Sequence, residues 1–524
     1  MPHLSLKSKV LGGAAAVLFA ASFAAPAQAT PSSPLYSGGG TLAEKVYRDI
    51  MDCYGSHSGT DTTFGLNAPP AICNAATPYN ANVELLYVGV GSGNGLKAFD
   101  NGDPSQYISG ARTPDNPPVA STSDFGPFYG TGTGATWAPS GTATNYFPKV
   151  SFTGSDSPLG SADITTYNSK SNGWGAPVQF PGLVVGVTIP FNPSSGGFNQ
   201  KGTKPSGGGN SSLVDLSTNT LCGIFTGGIT TWNDANITAD NNGVVLGTGA
   251  ITVIYRSDSS GTTFLTSNAL INQCAGTSFP VPNSWQTAAG NTAGVGNTKF
   301  FINVAAASLL PANFTPASGS GGVETAINTT TGSIGYVSPD FVKPVLASGP
   351  EAANLQTWAS QGLTKVWKAP TASSATAIVS SSKPPSFSKA SCPVGTGMGQ
   401  SPDTICADNA LNWGVAFPKP TSTSAYPIGG FTFIDMYSCY HSPSDVTALV
   451  GTTAGSLGYF RWYFGSTTEN ASLVKNSLTK NGFAVLPGGW ISGIKKLLTG
   501  DKTTDIGTPG QANTACTKVT GNGA

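Results

Sequence analysis

The residue types best suited to binding chemistry are concentrated in segment 255–264, which has the sequence YRSDSSGTTF. The apolar run 251–255 predicts a buried strand, and a helix is predicted to begin near Ser260. The N–H groups in the first turn of such a helix lack partners within it, and the helix dipole favours an anion there. Gly261 permits close backbone approach, and the hydroxyls of Ser260 and Thr262 add donors. The segment therefore predicts an anion site.

Arg256 and Asp258 add charge to this segment. The guanidinium of Arg256 is a fixed fork of donors that suits a tetrahedral oxyanion, and Asp258 would orient it and partly neutralise it. Taken alone, the segment fits about equally well an ordinary Ser N-cap beside a surface Arg–Asp pair. Other parts of the chain must decide between these interpretations.

A glycine-rich turn near the N-terminus offers a second helix start. Residues 38–40 are Gly-Gly-Gly, and the N–H groups of Thr41 and Leu42 could meet an anion there. Glu44, three residues after Thr41, also fits a capping box, which would be a purely structural role.

A third such turn, Gly-Ser-Gly-Asn-Gly at 91–95, follows a predicted strand at 83–90 and precedes a predicted helix. It places the hydroxyl of Ser92 at the strand end. A lone glycine-rich loop of this kind is equally typical of a plain strand-to-helix turn.

Asp156 lies where another predicted strand ends, in the sequence FTGSDSPL at 152–159. An isolated Asp in such a place is usually a helix cap. Beside an anion site, however, a carboxylate is repulsive unless the ligand carries a proton to donate. Phosphate carries one near neutral pH and sulfate does not, so Asp156 would accept the P–OH hydrogen bond and disfavour sulfate.

Short apolar runs alternate along the chain with helix-like segments, which predicts an α/β fold. The runs at 183–191 and 251–255 are continuously apolar, as strands in the middle of a buried sheet are. Loop-like compositions rich in Gly, Pro, Ser and Thr separate these elements at 102–148, 194–210 and 371–389.

The order of the four glycine, serine and aspartate elements resembles that of the phosphate-binding proteins that serve high-affinity phosphate ABC transporters. It is most similar to their DING branch. Further similar stretches are LSTNTLCGIF at 216–225, GITTWN at 228–233 and GSIGYV at 332–337. The resemblance extends from about Gly38 to Tyr463.

The resemblance implies a periplasmic-binding-protein fold, in which two α/β lobes are joined by a two-strand hinge and the ligand lies in the cleft. The crossings are expected near 183–192 and 426–437. The implied organisation is a first lobe of 30–190 and 430–524, with insertions near 53–81 and 102–149, and a second lobe of 191–429.

The resemblance also implies the phosphate ligands, which are Thr41, Leu42, Ser92, Asp156, Arg256, Ser260, Gly261 and Thr262, with Asp258 holding Arg256. It implies a binding protein with no catalytic residue, no metal and no cofactor. The expected partners are inorganic phosphate and a membrane ABC permease, and the protein is expected to be a monomer. The formal net charge of zero gives no indication of a nucleic acid partner.

The N-terminus predicts export. Residues 1–29 have the features of a signal peptide, with Lys7 and Lys9, an apolar run at 10–25 and Ala27-Gln28-Ala29 as a cleavage pattern. That apolar run is too short to span a membrane comfortably, so no span is expected after cleavage. The location is therefore predicted to be periplasmic or secreted.

The cysteines are consistent with export, because an even number favours disulfides. The eight are Cys53, Cys73, Cys222, Cys274, Cys392, Cys406, Cys439 and Cys516. Proximity favours Cys53 with Cys73 and Cys222 with Cys274, and leaves the other four open.

Two other functions are compatible with this sequence. A secreted phosphatase of the DING type would need a nucleophile with a base or a metal pair, whereas after residue 29 the only histidines are His57 and His441 and Ser260 has no evident base. A surface interaction protein on the same fold would use the two long insertions. An assay of phosphate binding and of ester turnover separates the three functions. Binding without turnover indicates a binding protein, turnover indicates a phosphatase, and the absence of both favours the interaction protein.

Overall fold

The computed structural model describes residues 33–56, 79–104, 106–109, 149–170, 173–192, 214–288, 308–386, 407, 409–451, 457–465 and 468–499. All of these belong to one unit, Pro31–Ala524. The predicted signal peptide, His57, most of both predicted insertions, and Cys73, Cys392, Cys406 and Cys516 lie outside the described residues.

Strands and helices alternate along the chain. The β-strands are β1 (Ser33–Gly39), β2 (Gly55–Ser56), β3 (Asn80–Gly89), β4 (Phe152–Ser155), β5 (Pro177–Gly186), β6 (Pro190–Phe191), β7 (Asp215–Leu216), β8 (Thr252–Arg256), β9 (Phe314–Ala317), β10 (Ser333–Ile334), β11 (Glu351–Ala352), β12 (Asn354–Gln356), β13 (Trp367–Lys368) and β14 (Gly429–Tyr437). The α-helices are α1 (Glu44–Tyr54), α2 (Ser92–Asn101), α3 (Gln106–Ser109), α4 (Ser161–Ser169), α5 (Thr218–Phe225), α6 (Ala235–Asp240), α7 (Gly261–Cys274), α8 (Asn283–Ala288), α9 (Gly319–Thr329), α10 (Ala372–Val379), α11 (Pro443–Val450), α12 (Tyr459–Tyr463), α13 (Thr468–Lys480) and α14 (Gly488–Thr499). Short 3₁₀ helices occur at Pro339–Phe341, Trp358–Ser360 and Ala410–Trp413.

The first sheet has the strand order β2-β3-β1-β4-β14-β5. Strands β1, β3 and β4 are parallel, and Gly39 pairs with both Gly89 and Gly154. Because these strands end level with one another, the loops that follow them leave the same edge of the sheet. Strand β14 runs antiparallel to β4 and β5, and every residue of it is buried, including the polar Thr432 and Asp435.

The second sheet has the order β11-β6-β10-β8-β9, and a small third sheet has the order β13-β12-β7. Strands β8, β9 and β10 are parallel, and Arg256 at the end of β8 lies beside Ala317 at the end of β9. A separate hydrophobic cluster that includes Ile254, Val323 and Phe341 packs around this second sheet. The predicted α/β class is therefore confirmed.

The chain passes from the first sheet to the second between β5 and β6, at residues 187–189. The N–H of Val187 donates to the carbonyl of Ile428 at 2.9 Å, so the approach to β14 lies beside this passage. Thr188 pairs with Val337 of the second sheet region, and its N–H donates to the Val337 carbonyl at 2.8 Å. The chain thus passes between the two sheets at 187–189, beside the residue that precedes β14.

The predicted disulfide between Cys222 and Cys274 is present, and it links α5 to the end of α7. Cys53 and Cys439 are also disulfide-bonded. The predicted pairing of Cys53 with Cys73 involves a residue outside the described ranges. No helix within those ranges is both long and apolar enough to cross a membrane.

Candidate functional site

The ends of β1, β3 and β4 bring three predicted site residues to one place. The N–H of Gly40 donates to the carbonyl of Gly154 at 2.8 Å, and the N–H of Val90 donates to that of Gly39 at 2.9 Å. These bonds hold the turns at the strand ends together. Thr41, Ser92 and Asp156 follow directly in the three turns, and each is at most 3% exposed.

Asp156 and Ser92 are hydrogen-bonded to each other across two of these turns. The Ser92 hydroxyl donates to Oδ2 of Asp156 at 3.2 Å, and it accepts from the Asp156 N–H at 3.1 Å. Burial raises the pKa of Asp156 from 3.8 to about 7, although the Ser92 hydrogen bond and the charge of Arg256 lower it and Asp340 raises it further. The site therefore holds a carboxyl group that can exchange a proton near neutral pH.

Arg256 lies at the end of β8 and is buried with Asp258, so the surface-pair interpretation is wrong. The side chains of Arg256 and Asp258 are 1% and 8% exposed. Nε of Arg256 donates to Oδ1 of Asp258 at 2.6 Å, and Nη2 donates to Oδ2 at 2.5 Å. Burial alone would raise the pKa of Asp258, but Arg256 and the N–H of Gly319 outweigh it, so the pKa lies below its usual value. Asp258 thus holds the guanidinium as a fixed ion pair.

Helix α7 begins at Gly261, with Ser260 as its N-cap. The Ser260 hydroxyl accepts from the N–H of Thr263 at 3.2 Å, so the ordinary capping role is also present. The buried hydroxyl of Thr262, in the first turn, has no hydrogen-bond partner among the described residues. An unsatisfied donor at a buried helix N-terminus beside an arginine is what an anion site requires.

Close packing joins this helix to the residues of the first sheet. A Cβ added to Gly261 would lie 2.4 Å from Cβ of Asp156 and 2.5 Å from Oγ of Ser92. Only glycine permits that approach, so the residue type is explained by the contact between the two sheets' loops. The N–H of Gly93 also donates to the carbonyl of Ser259 at 3.1 Å.

The first turn at 38–42 differs from its prediction in one respect. Helix α1 begins at Glu44 with Ala43 as its N-cap and no capping hydrogen bond from a side chain. Glu44 instead accepts the N–H of Gly89 at 2.9 Å through Oε1. The capping box between Thr41 and Glu44 is therefore absent, because the carboxylate is used to fix the end of β3. Leu42 is fully buried in this turn.

Ser320 is a residue of this site that the sequence interpretation missed. Its hydroxyl lies 3.1 Å from that of Thr41 and 3.4 Å from Nη1 of Arg256, and the residue is fully buried. The only local signal is the sequence SGSGG at 318–322, which is indistinguishable from the glycine- and serine-rich loops elsewhere in the chain.

The contact between Lys45 of α1 and Asp340 of the 3₁₀ helix Pro339–Phe341 is a second feature that the sequence interpretation missed. Nζ of Lys45 donates to the carbonyl of Asp340 at 3.4 Å and lies 3.4 Å from the ring centroid of Phe341. Burial raises the pKa of the Asp340 carboxyl from 3.8 to about 6, although Lys45 and Ser338 lower it. In the part of the chain that the structure describes, no group of three or more His, Cys, Asp and Glu is arranged to hold a metal ion.

Comparisons with known proteins agree with this geometry. The family model described as "PBP superfamily domain" matches residues 25–389, so the chain belongs to the PBP superfamily. Among its relatives are "Alkaline phosphatase L" of Pseudomonas aeruginosa, 28% identical over 416 residues that cover 77% of this chain and 80% of that protein. Another is a "Phosphate-binding protein" of an unknown prokaryotic organism, 29% identical over 414 residues that cover 76% of this chain and 94% of that protein.

Solved structures narrow the class to the DING branch. A high-affinity periplasmic phosphate-binding protein, PfluDING, solved with bound phosphate, matches with a TM-score of 0.57 and 26% identity, covering 92% of this chain and 96% of that one. A human phosphate-binding apolipoprotein matches with a TM-score of 0.57 and 25% identity, covering 90% and 96%. The predicted fold and the predicted resemblance are both confirmed.

Proposed function

We propose that this protein is an exported solute-binding protein that captures inorganic phosphate in the cleft between its two lobes. The observation that carries the proposal is the buried carboxyl group of Asp156, which is bonded to Ser92 and packs against Gly261 at the N-terminus of α7, in an anion site with the guanidinium of Arg256. A carboxylate there is unfavourable for a fully ionised anion such as sulfate. It is favourable for an anion that brings a proton, and phosphate does so near neutral pH.

The proposed phosphate shell draws on both lobes. It consists of Thr41, Leu42, Ser92 and Asp156 from the first lobe and Arg256, Ser260, Gly261 and Thr262 from the second, with Asp258 orienting Arg256. Because one ion contacts donors from both sides, binding stabilises the closed arrangement of the lobes relative to an open one.

We also propose revised lobe boundaries. Helix α10 packs against β5 and β14 of the first sheet, and the amide of Gln179 donates to the carbonyl of Ala410 at 2.9 Å. These contacts favour a return to the first lobe between β13 and α10, earlier than the crossing expected at 426–437. The second lobe would then extend from about 190 to 368.

The proposed biological role is phosphate uptake after export to the periplasm or beyond. The predicted signal peptide and the confirmed Cys222–Cys274 disulfide support export, since disulfides persist in oxidising compartments. Delivery to an ABC permease and a monomeric state belong to the same proposal. The resemblance to phosphate-binding proteins of ABC transporters supports both, and phosphate transport in cells that lack and then regain the protein would test the delivery.

The direct test is binding of radiolabelled phosphate to the purified mature protein, with sulfate as competitor. We expect micromolar or tighter affinity for phosphate and little competition from sulfate. Asp156→Asn should weaken phosphate binding at least about tenfold and reduce discrimination against sulfate, because the amide can donate to an unprotonated oxygen. An unchanged phosphate-to-sulfate preference in that variant would show that Asp156 is not the proton acceptor.

A phosphatase is the second candidate, and it is favoured by the name of the Pseudomonas aeruginosa relatives. Such an activity needs an activated nucleophile. The Ser260 hydroxyl is engaged as a helix cap, and His441, the histidine within the described ranges, is exposed. Release of product from an aryl phosphate by the purified protein would support this candidate. If the purified protein neither bound phosphate nor released product, a surface interaction protein on the same fold would be favoured.

A further inference from the structure

Ser320 lies at the start of α9, where the chain leaves β9 of the second sheet. The preceding residue, Gly319, donates its N–H to Oδ1 of Asp258 at 3.0 Å. This bond fixes the helix start against the same carboxylate that holds Arg256. The Ser320 hydroxyl is therefore placed by a defined backbone contact.

The hydroxyl of Ser320 connects groups that belong to different lobes. On one side it pairs with the hydroxyl of Thr41, which follows β1, at 3.1 Å. On the other side it accepts from Nη1 of Arg256, which ends β8, at 3.4 Å. Thr41 and Ser320 are 3% and 0% exposed, so their hydrogen bond is shielded from water, where such bonds are electrostatically stronger.

We propose that Ser320 is a positioning residue of the phosphate site, whose hydroxyl joins Thr41 of the first lobe to Arg256 of the second and favours the closed cleft. This inference rests on the proposed function, since it assigns a further residue to the same site. With Asp258 on Nε and Nη2 and Ser320 on Nη1, the guanidinium is held on two sides. The same hydroxyl holds Thr41 against the second lobe.

Ser320→Ala should raise the Kd for phosphate about tenfold, chiefly by faster dissociation. The association rate should change little, because no charge is lost. Without phosphate, small-angle scattering should give a larger radius of gyration than for the wild-type protein, since a contact between the lobes has been removed.

Ser318→Ala is the matched control, two residues earlier in the same turn. The Ser318 hydroxyl makes no hydrogen bond to any described residue and does not cap the helix. Its removal should leave the dissociation rate and the radius of gyration as in the wild-type protein. Equal values for Ser320→Ala and Ser318→Ala in both measurements would overturn the proposal.

Thr41→Val tests the same bond from the other lobe and serves if Ser320→Ala does not fold. It should also enlarge the ligand-free protein, and adding Ser320→Ala should enlarge it no further, because both remove one interaction. The proposed contact between Thr41 and Ser320 would be overturned if Thr41→Val left the ligand-free radius of gyration unchanged. It would also be overturned if the increases in radius caused by the two substitutions were fully additive.

Failure of the proposed function is distinguishable from failure of this inference. If the wild-type protein bound no radiolabelled phosphate, the proposed function would fall. The scattering comparison of the ligand-free wild-type, Ser320→Ala and Ser318→Ala proteins would still decide whether Ser320 holds the lobes together.

Discussion

At the scale of single residues, the group with the most distinctive chemistry is Asp156. Asp156 is 2% exposed, and among the described residues only Ser92 offers its carboxyl a side-chain hydrogen bond, so ionisation there is costly. The cost explains why its pKa is raised to about 7 despite the nearby charge of Arg256. A buried group of this kind makes the stability of the ligand-free protein depend on pH.

Asp156→Asn should remove part of that dependence. The folded-state pKa lies above the unfolded value, so the stabilisation is fully present below about pH 4 and is lost as pH rises to about 7. Over this window the free energy of unfolding should fall by up to about 1.4 kcal/mol per pH unit because of this group alone. Urea titrations of both proteins in phosphate-free buffer measure it. Parallel pH profiles would show that Asp156 is ionised at ordinary cost.

Arg256→Lys should test whether the fork geometry matters beyond the charge. Lysine keeps the charge but cannot make the paired bonds to Asp258 at 2.6 and 2.5 Å, nor bond Ser320 at the same time. We expect phosphate binding to weaken by about 2–5 kcal/mol, approaching the loss in Arg256→Ala, because the pair is buried. Calorimetry at fixed ionic strength measures both variants. Affinity of Arg256→Lys close to wild type would mean that charge alone suffices.

At the scale of elements, the sequence correctly predicted the strands and helix starts that depend on local sequence patterns. The run at 83–90 corresponds to β3 and that at 251–255 to β8, because both are rich in the apolar and β-branched residues that favour a buried strand. The start of α7 was predicted from Ser260 and Gly261 for the same kind of local reason. The hydrogen bond that Glu44 accepts was not predicted, because its donor, the N–H of Gly89, is distant in sequence.

The contact between α1 and the 3₁₀ helix Pro339–Phe341 is another element-scale feature that pattern alone could not reveal. It depends on Lys45 lying 3.4 Å from the ring centroid of Phe341, and lysines of this kind usually occupy a solvated helix face. Ser320 was missed for the same reason. Both residues acquire their roles only when the two lobes meet.

Lys45→Met should weaken the closed form by removing the cation while keeping an apolar stem of similar length. We expect a three- to tenfold weaker affinity for phosphate, which is about 0.7–1.4 kcal/mol and lies between the exposed and the desolvated values for a cation–π contact. Lys365→Met is the control, because Lys365 pairs with Asp240 within the second lobe at 2.5 Å. Equal phosphate affinities for the two variants would show that the Lys45 contact does not favour closure.

At the scale of the whole molecule, the site exists because two sheets present their strand ends to each other. Gly39, Gly89 and Gly154 end level in the first sheet, and Arg256 ends β8 in the second. The family resemblance predicted this arrangement and all nine predicted site residues lie in these end regions. The order of motifs could be recognised in the sequence, but the packing of α10 against β5 and β14 could not, because these elements are distant in the chain.

The Cys222–Cys274 disulfide constrains the part of the second lobe that carries the start of α7. It closes a loop with a sequence separation of 52 and ties α5 to the last residue of α7, whose first turn carries Gly261 and Thr262. A loop of that length corresponds to about 4 kcal/mol of chain entropy in the unfolded state. The disulfide therefore stabilises α7, the helix whose first turn would contact the anion, although the disulfide itself lies at the other end of that helix.

Replacing both cysteines by alanine should lower the free energy of unfolding by about 2–4 kcal/mol, since native strain and residual structure reduce the entropic figure. Phosphate affinity at 25 °C should change by less than threefold, because the ligand groups lie at the opposite end of α7, on the order of 20 Å away. Urea unfolding and calorimetry on the same samples give both quantities. A large loss of affinity with unchanged stability would mean that the disulfide acts on the site itself, and that the second lobe does not close as a rigid body.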